Sequence, residues 1–216
     1  MNISEIINTY KAELGPNVTL VAISKTKPSS DILEAYNAGQ KIFGENKIQE
    51  MAEKWEELPR DIEWHMVGHV QTKKVKYMAP FVSLVHAVDS LKLLKEIDKE
   101  AKKNNRTINC LLQIKIAEEE SKFGISFEDA RKILVSREFQ DLKNVKVTGL
   151  MGMATFTNDM AQVRKEFQYL KENFDALKEE YPTLEKLSMG MSSDYKIAIE
   201  CGSNMVRIGS AIFGER

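Results

Sequence analysis

The chain has 216 residues, 43% of them hydrophobic and 29% charged, as expected of an ordinary globular protein. Its 31 basic and 32 acidic side chains nearly cancel, so the sequence lacks the basic excess of a nucleic-acid-binding protein. No apolar run reaches the roughly 18 residues of a membrane helix, and the first residues do not form a secretory signal. The two distant cysteines, Cys110 and Cys201, indicate reduced thiols, and we expect a cytoplasmic protein.

Short apolar runs alternate with amphipathic stretches along the whole chain. A helix is predicted over Ile3–Leu14, and the nearly all-apolar run Val18–Ser24 predicts a first strand. Further strands are predicted over Lys41–Phe43, Glu63–Val67, Val82–Ala87, Thr107–Ile116, Val145–Met151, Lys186–Ser188 and Met205–Ile208. Helices are predicted between them over Ser29–Asn37, Lys47–Leu58, Thr72–Met78, Leu91–Lys103, Phe127–Ser136, Asp159–Glu180 and Asp194–Glu200.

Eight strands separated by helices indicate parallel crossovers. The predicted fold class is therefore α/β, a single (β/α)8 TIM barrel with an N-terminal helix preceding strand 1 and one domain over residues 1–216. The eight residues after Ile208 leave no room for a full final helix, so the N-terminal helix could cover the seam. An open flavodoxin-like or Rossmann sheet is the alternative.

Functional side chains of a parallel barrel come from the carboxyl ends of its strands and from the loops that follow. Lys25 ends the first strand, where partial desolvation favours the neutral amine that attacks carbonyl carbons. Lys27 shares its strand parity and is the second candidate. The alternative interpretation of Lys25 is a solvated lysine at a strand end.

Two Gly/Ser turns follow the last two strands, where barrels often bind phosphate. Ser192 precedes the predicted helix Asp194–Glu200, and Gly209 and Ser210 follow the eighth strand. Ser192 could also be an ordinary N-cap, and Gly209 a turn glycine. Arg207 lies inside an apolar strand and needs an anion or acceptor, which a buried carboxylate could also provide.

Histidines are too few and too poorly spaced to predict a metal site. His65 and His69 would be about 13 Å apart along a strand, and no third ligand is visible. His65 could stack on a planar ligand or pack in the core, and His86 gives no signal of function.

Five segments occur in order on five different loops: VAISKTKP (21–28), FGEN (43–46), WHMVGHVQ (64–71), SMGMSSD (188–194) and MVRIGSAIFG (205–214). Together they resemble the pyridoxal-phosphate homeostasis proteins (the YggS/PROSC group), which share the barrel of the alanine racemase N-terminal domain. The resemblance implies that Lys25 forms an imine with pyridoxal phosphate, with Asn46 beside the cofactor and Arg207 facing its pyridine nitrogen. The remaining matches imply a phosphate cradle of Ser192, Gly209 and Ser210 and a ligand-proximal His65.

The implied function is storage, buffering or delivery of pyridoxal phosphate, with pyridoxal-phosphate-dependent apoenzymes as recipients. A guanidinium beside the ring nitrogen disfavours its protonation, and an unprotonated ring is a poor electron sink. We therefore expect no strong catalysis. The alternatives are an amino-acid racemase, whose second domain we do not expect here, and a cofactor-free Schiff-base aldolase that binds a phosphorylated sugar. The helices would allow a monomer or a weak dimer.

The sequence departs from the family's pattern at two positions where asparagine is common. Lys73 and Lys115 occupy them. A polar role of those two asparagines therefore does not carry over, whereas the implied cofactor contacts are unaffected.

Overall fold

Eight parallel strands form the centre of the computed structural model, which describes residues 2–119 and 123–214. Within these ranges the strands pair in chain order, and the first also pairs with the last. They are β1 Thr19–Ile23, β2 Ile42–Glu45, β3 Glu63–Met66, β4 Leu84–Val88, β5 Ile108–Ile114, β6 Val145–Gly152, β7 Lys186–Met191 and β8 Met205–Ile208. This closed order confirms the predicted (β/α)8 barrel and excludes the open sheet.

Helices surround the barrel and connect its strands. In the described part of the chain they are α1 Ile3–Leu14, α2 Ser29–Asn37, α3 Ile48–Glu57, α4 Val75–Met78, α5 Leu91–Lys103, α6 Phe127–Val135, α7 Arg137–Gln140, α8 Met160–Glu180, α9 Tyr195–Glu200 and α10 Ser210–Phe213. The predicted helix Thr72–Met78 divides into a 3₁₀ turn, Thr72–Lys74, and α4. Among these described helices, none combines the length and the apolar composition that crossing a bilayer requires.

The N-terminal helix covers the seam of the barrel, as predicted. Asn2 and Glu5 cap α1 reciprocally, which satisfies two backbone donors at its start. Ile7 and Leu14 are buried on its inner face. The helix packs against α2, β1 and α10, beside the pairing of β1 with β8.

The seventh strand is longer than predicted because a glycine inside it does not end it. The sequence predicted a strand over Lys186–Ser188, whereas β7 continues to Met191. Gly190 has φ +101°, and a Cβ there would lie 2.7 Å from the Cβ of Ala198 on α9. The strand can therefore continue under α9 only with glycine at this position.

Alternation along the strands separates two apolar layers. The larger layer lies between the strands and the helices and includes Phe43 and Trp64. A smaller cluster occupies the interior of the barrel and is formed by Val21, Leu84, Ala87, Leu111, Met151 and Met205. Val21 and Ile23 of β1 pack in this interior cluster, and Lys25 follows two residues beyond the end of that strand.

Candidate functional site

The predicted site residues lie in loops at one end of the barrel. Lys25 follows β1, Asn46 follows β2, Ser192 follows β7, and Gly209 joins β8 to Ser210 at the start of α10. Because all eight strands are parallel, these loops form a single rim at their carboxyl ends.

Ser192 and Gly209 are in direct contact at this rim. The Gly209 N–H donates a hydrogen bond to Ser192 Oγ over 3.3 Å. The interpretation of Ser192 as an N-cap is wrong, because α9 begins at Tyr195 and its N-cap residue is Asp194. The structure thus joins the two Gly/Ser turns that the sequence singled out separately.

The end of β1 lies beside this pair of turns. Ala22 pairs with Ile208, which brings Ile23 next to Gly209. A Cβ at Gly209 would lie 3.2 Å from the Cβ of Ile23, so this close packing favours glycine. Lys25 therefore lies two residues beyond the contact between Ile23 and Gly209.

Lys25 lies in a tight turn over residues 24–27. Lys27 N–H donates to the Ser24 carbonyl over 3.1 Å, which closes the turn, and Thr26 has φ +63°. A β-branched residue in this left-handed region is strained unless its surroundings hold it there. Lys25 itself is half-buried.

A buried group of charged side chains lies behind this turn. The Lys54 ammonium on α3 donates to the Ser24 carbonyl over 2.8 Å and to Oε1 of Glu45 and of Glu50 over 2.7 Å each. Ser24 Oγ donates to Glu45 Oε1, and Thr26 N–H donates to Glu50 Oε1. Burial raises the pKa of Glu45. We call Glu45, Glu50 and Lys54 the ion cluster.

Arg207 is buried in the interior of the barrel, only 4% exposed. Its guanidinium donates to Ser188 Oγ over 2.6 Å and to the Gly152 carbonyl over 3.1 Å. Both of these acceptors are uncharged. Burial lowers the pKa of Arg207 to about 10, with Asp194 acting in the opposite direction, so the group is a cation at neutral pH.

A chain of hydrogen bonds continues from Arg207 through Ser188 to two buried histidines. Ser188 Oγ lies 2.9 Å from His86 Nδ1, and His86 Nε2 lies 3.0 Å from His65 Nδ1. The Ser188 hydroxyl accepts from Arg207. The directions of the next two hydrogen bonds are set by the tautomers of His86 and His65. We call these four residues the interior chain.

The two histidines of the interior chain are neutral. Burial lowers the pKa of His65 to about 3 and that of His86 well below its ordinary value. Strand register places His65 level with Gly44 and Ile23, which precede Asn46 and Lys25 by two residues. His65 is therefore a buried histidine linked to Arg207 at a layer beneath the rim.

Asn46 is exposed at the rim, and its backbone packs tightly against the next loop. A Cβ at Gly68 would collide with the Asn46 carbonyl, so the loops after β2 and β3 can approach this closely only with glycine there. Lys73 and Lys115, the two departures from the family's pattern, are both exposed.

His69 is separated from His65 and takes no part in the interior chain. Its ring stacks on Phe123 at 4.6 Å between centroids, and its Nδ1 lies 3.6 Å from Asp89 Oδ2. Among residues 2–119 and 123–214, no three His, Cys, Asp or Glu side chains are grouped so that they could hold a metal ion.

Sequence reasoning missed the ion cluster and half of the interior chain. His86 was uninformative because one histidine in an apolar strand has no visible partner. Strand parity offered the available signal, since His65 and His86 both face inward on neighbouring strands. Lys54 offered none, because a lysine on an amphipathic helix is normally exposed.

The rim combines the donors that a phosphorylated aldehyde requires. Ser192, Ser210 and the first N–H groups of α10 can receive an anion, because the first turn of a helix leaves its N–H groups without partners inside the helix. Lys25 supplies an amine, and Arg207 supplies donors to a ring nitrogen. The donor set therefore fits pyridoxal phosphate.

Comparison with known proteins identifies the family. The profile of the alanine racemase N-terminal domain matches residues 2–216. The pyridoxal phosphate homeostasis protein of Aquifex aeolicus is 43% identical over 200 residues, which cover 91% of this chain and 86% of that protein. The chain belongs to this family of pyridoxal phosphate homeostasis proteins. The resemblance stated from the sequence motifs is thereby confirmed.

Solved structures agree with the family in fold. PipY of Synechococcus elongatus PCC7942, solved with PLP bound, has a TM-score of 0.90 and 33% identity, covering 99% of this chain and 100% of PipY. The alanine racemase of Streptomyces lavendulae has a TM-score of 0.81 at 17% identity. The match covers 99% of this chain and 57% of the racemase. At 17% identity it shows a shared barrel fold and nothing more.

Proposed function

We propose that this protein binds pyridoxal phosphate at the barrel rim and serves its homeostasis by storing, buffering or delivering it. The observation that carries the proposal is that the Lys25 turn and the Ser192–Gly209 contact lie at one rim, with the buried Arg207 in the barrel interior beneath it. The PLP-bound structure of the similar PipY supports the choice of cofactor.

Lys25 supplies the amine for a reversible Schiff-base linkage to the cofactor aldehyde. Ser192, Gly209 and Ser210 would hold the phosphate, with hydroxyls and backbone N–H groups as donors. Asn46 lies on the same rim and is exposed to a ligand there. His65 supports the site from below through the interior chain.

Arg207 would face the pyridine nitrogen and keep it unprotonated, since two adjacent cations repel. Pyridoxal phosphate supplies a carbonyl and an electron sink, and its sink is weak while the ring nitrogen is unprotonated. The interior chain fixes the guanidinium from behind with neutral partners. These properties favour a carrier of the cofactor over a strong catalyst.

The remaining assignments complete the proposal. Residues 1–216 act as a single pyridoxal-phosphate-binding domain in the cytoplasm, as a monomer or weak dimer. The recipients are apoenzymes that depend on the same cofactor. Each of these rests on the sequence and on the family rather than on a contact at the site.

Borohydride trapping tests the proposal. The purified protein supplied with pyridoxal phosphate should turn yellow, and borohydride should attach the cofactor to the tryptic peptide that contains Lys25. The Lys25→Ala variant should stay colourless, whereas the matched Lys27→Ala variant should behave like the wild type. A wild type that refuses the cofactor would refute the proposal and favour a cofactor-free aldolase. Strong alanine or serine racemization, lost in Lys25→Ala, would refute the carrier function.

A further inference from the structure

The ion cluster contacts the chain on both sides of Lys25. Lys54 binds the carbonyl of Ser24, the residue before it, and Glu50 binds the N–H of Thr26, the residue after it. The ammonium of Lys54 joins both halves, because it also donates to Glu50 and to Glu45. The turn that carries Lys25 is therefore held by two backbone hydrogen bonds to charged groups.

Stability alone does not explain why these charged side chains are buried in the barrel wall. Glu45 is fully buried, Lys54 is 7% exposed, and Glu45 Oε2 has no hydrogen-bond partner within the described residues. Well-packed apolar side chains of similar size often stabilise a protein as much as a buried ion pair does, or more. The charges instead fix the orientation of the backbone, because a charged donor or acceptor forms a strong hydrogen bond to the backbone group that it binds.

The turn needs this support because the backbone conformation of Thr26, at its centre, is unfavourable. Thr26 occupies φ +63°, a region that β-branched residues rarely adopt. Strain of this kind persists where the surroundings over-determine it, and it is concentrated at functional sites. Here the Glu50 carboxylate is bound to the N–H of the strained residue itself.

We propose that Lys54, Glu45 and Glu50 are positioning residues that hold the turn and so aim the Lys25 amine at the cofactor aldehyde. The inference rests on the proposed function, because it takes Lys25 as the amine that forms the linkage. The three side chains act through the backbone of Ser24 and Thr26.

Glu50→Ala is the principal test, because the Glu50 side chain is 22% exposed and its removal leaves the buried Lys54–Glu45 pair in place. Imine formation is followed by absorbance after pyridoxal phosphate is added to the apoprotein. Misplacing a reacting group by about 1 Å can cost up to ~10²-fold in rate, so we expect Glu50→Ala to slow linkage formation roughly tenfold. Lys54→Met should slow it at least as much.

Thr26→Gly separates positioning from general stability. Glycine adopts positive φ without strain, so Thr26→Gly in the Glu50→Ala background should recover part of the lost rate. A merely structural role predicts that the substitutions change the melting temperature and leave the rate of linkage formation unmoved. Lys41→Met, which breaks the exposed Lys41–Asp61 pair, is the matched control and should keep the wild-type rate.

The outcomes distinguish this inference from the proposed function. If the wild type forms no linkage at Lys25, the proposed function is refuted, and the inference with it. If the wild type forms the linkage and Glu50→Ala and Lys54→Met form it at rates within twofold of the wild-type rate, the inference alone is refuted. Slow linkage in both variants with partial recovery by Thr26→Gly supports it.

Discussion

The ion cluster and the interior chain each support a side chain of the proposed site, but they do so with different kinds of contact. Each supports one basic side chain of the proposed site, Lys25 in one case and Arg207 in the other. The ion cluster uses paired charges, Glu45 and Lys54, packed between the barrel wall and α3. In the interior chain, Arg207 donates to the uncharged Ser188 hydroxyl and also to the Gly152 carbonyl.

This difference predicts which substitutions lower the stability of the protein most in each region. Removing one partner from a paired charge leaves the other buried and uncompensated. Removing an uncharged member of the interior chain leaves hydrogen-bonding groups unsatisfied, which costs less. The ion cluster should therefore respond most to loss of charge, and the interior chain to pH and to loss of single hydrogen bonds.

The largest expected effect is the loss of Lys54. Lys54→Met leaves Glu45 buried without its cation, and breaking a buried pair in this way costs about 3–5 kcal/mol of unfolding free energy. Urea unfolding of the apoprotein measures it. If the loss is no greater than for an exposed ion pair, the ion cluster is not the charge-dependent region described above.

The pH dependence of stability sharpens the contrast. The histidines of the interior chain have lowered pKa values when folded, about 3 for His65, against 6.5 in the unfolded chain. Between these values the unfolded chain binds protons that the folded protein does not, so stability is complete above pH 6.5 and is lost as pH falls. From pH 6.5 to 5 His65 should contribute a loss of roughly 2 kcal/mol, and His86 a loss in the same direction.

Urea unfolding at several pH values from 7 to 5 checks this loss. His65→Gln should flatten the dependence, whereas His69→Gln, at an exposed position, should leave it as in the wild type. An unchanged slope in His65→Gln would contradict the neutral state of His65.

Loss of a single link in the interior chain should have a smaller effect. Ser188→Ala removes the hydroxyl between Arg207 and His86 and leaves one polar group of each without its hydrogen-bond partner. Such a change costs about 1–3 kcal/mol. Urea unfolding gives the loss, and nitrogen NMR of the imidazoles should show a change in the His86 tautomer. Wild-type stability together with unchanged imidazole signals would remove Ser188 from the chain.

The smallest effect is expected on the surface. Lys41 pairs with Asp61 at 2.7 Å, the same distance as the pair inside the ion cluster, but both side chains are well exposed. Exposed pairs contribute about 0–1 kcal/mol, so Lys41→Met should change the unfolding free energy little. A loss similar to that of Lys54→Met would mean that burial does not set the difference between the two pairs.

The sequence predicted the barrel and its rim because both follow from short-range patterns. Alternating strands and helices define the topology, and a parallel barrel then brings together the residues that end its strands. The extent of β7 was missed because Gly190 looks like a turn in sequence, although α9 packs against it. Ser192 was open to interpretation as an N-cap until its contact with Gly209 was known.

The ion cluster and the interior chain could not be predicted for a different physical reason. The interior chain joins residues far apart in sequence, such as Ser188 and His86, which are 102 positions apart. The ion cluster reaches the Lys25 turn through contacts that span 30 and 24 positions. Such pairs depend on which strands face each other across the barrel and on side-chain geometry. A single lysine, serine or histidine in a predicted element carries no sign of that partner.

A structure of the protein with bound pyridoxal phosphate tests the central claim most directly. The account predicts continuous density from Lys25 Nζ to the cofactor, with the phosphate at Ser192, Gly209 and Ser210 and the ring nitrogen facing Arg207. Cofactor joined to another lysine, such as Lys27, or a phosphate bound away from these two turns would contradict it.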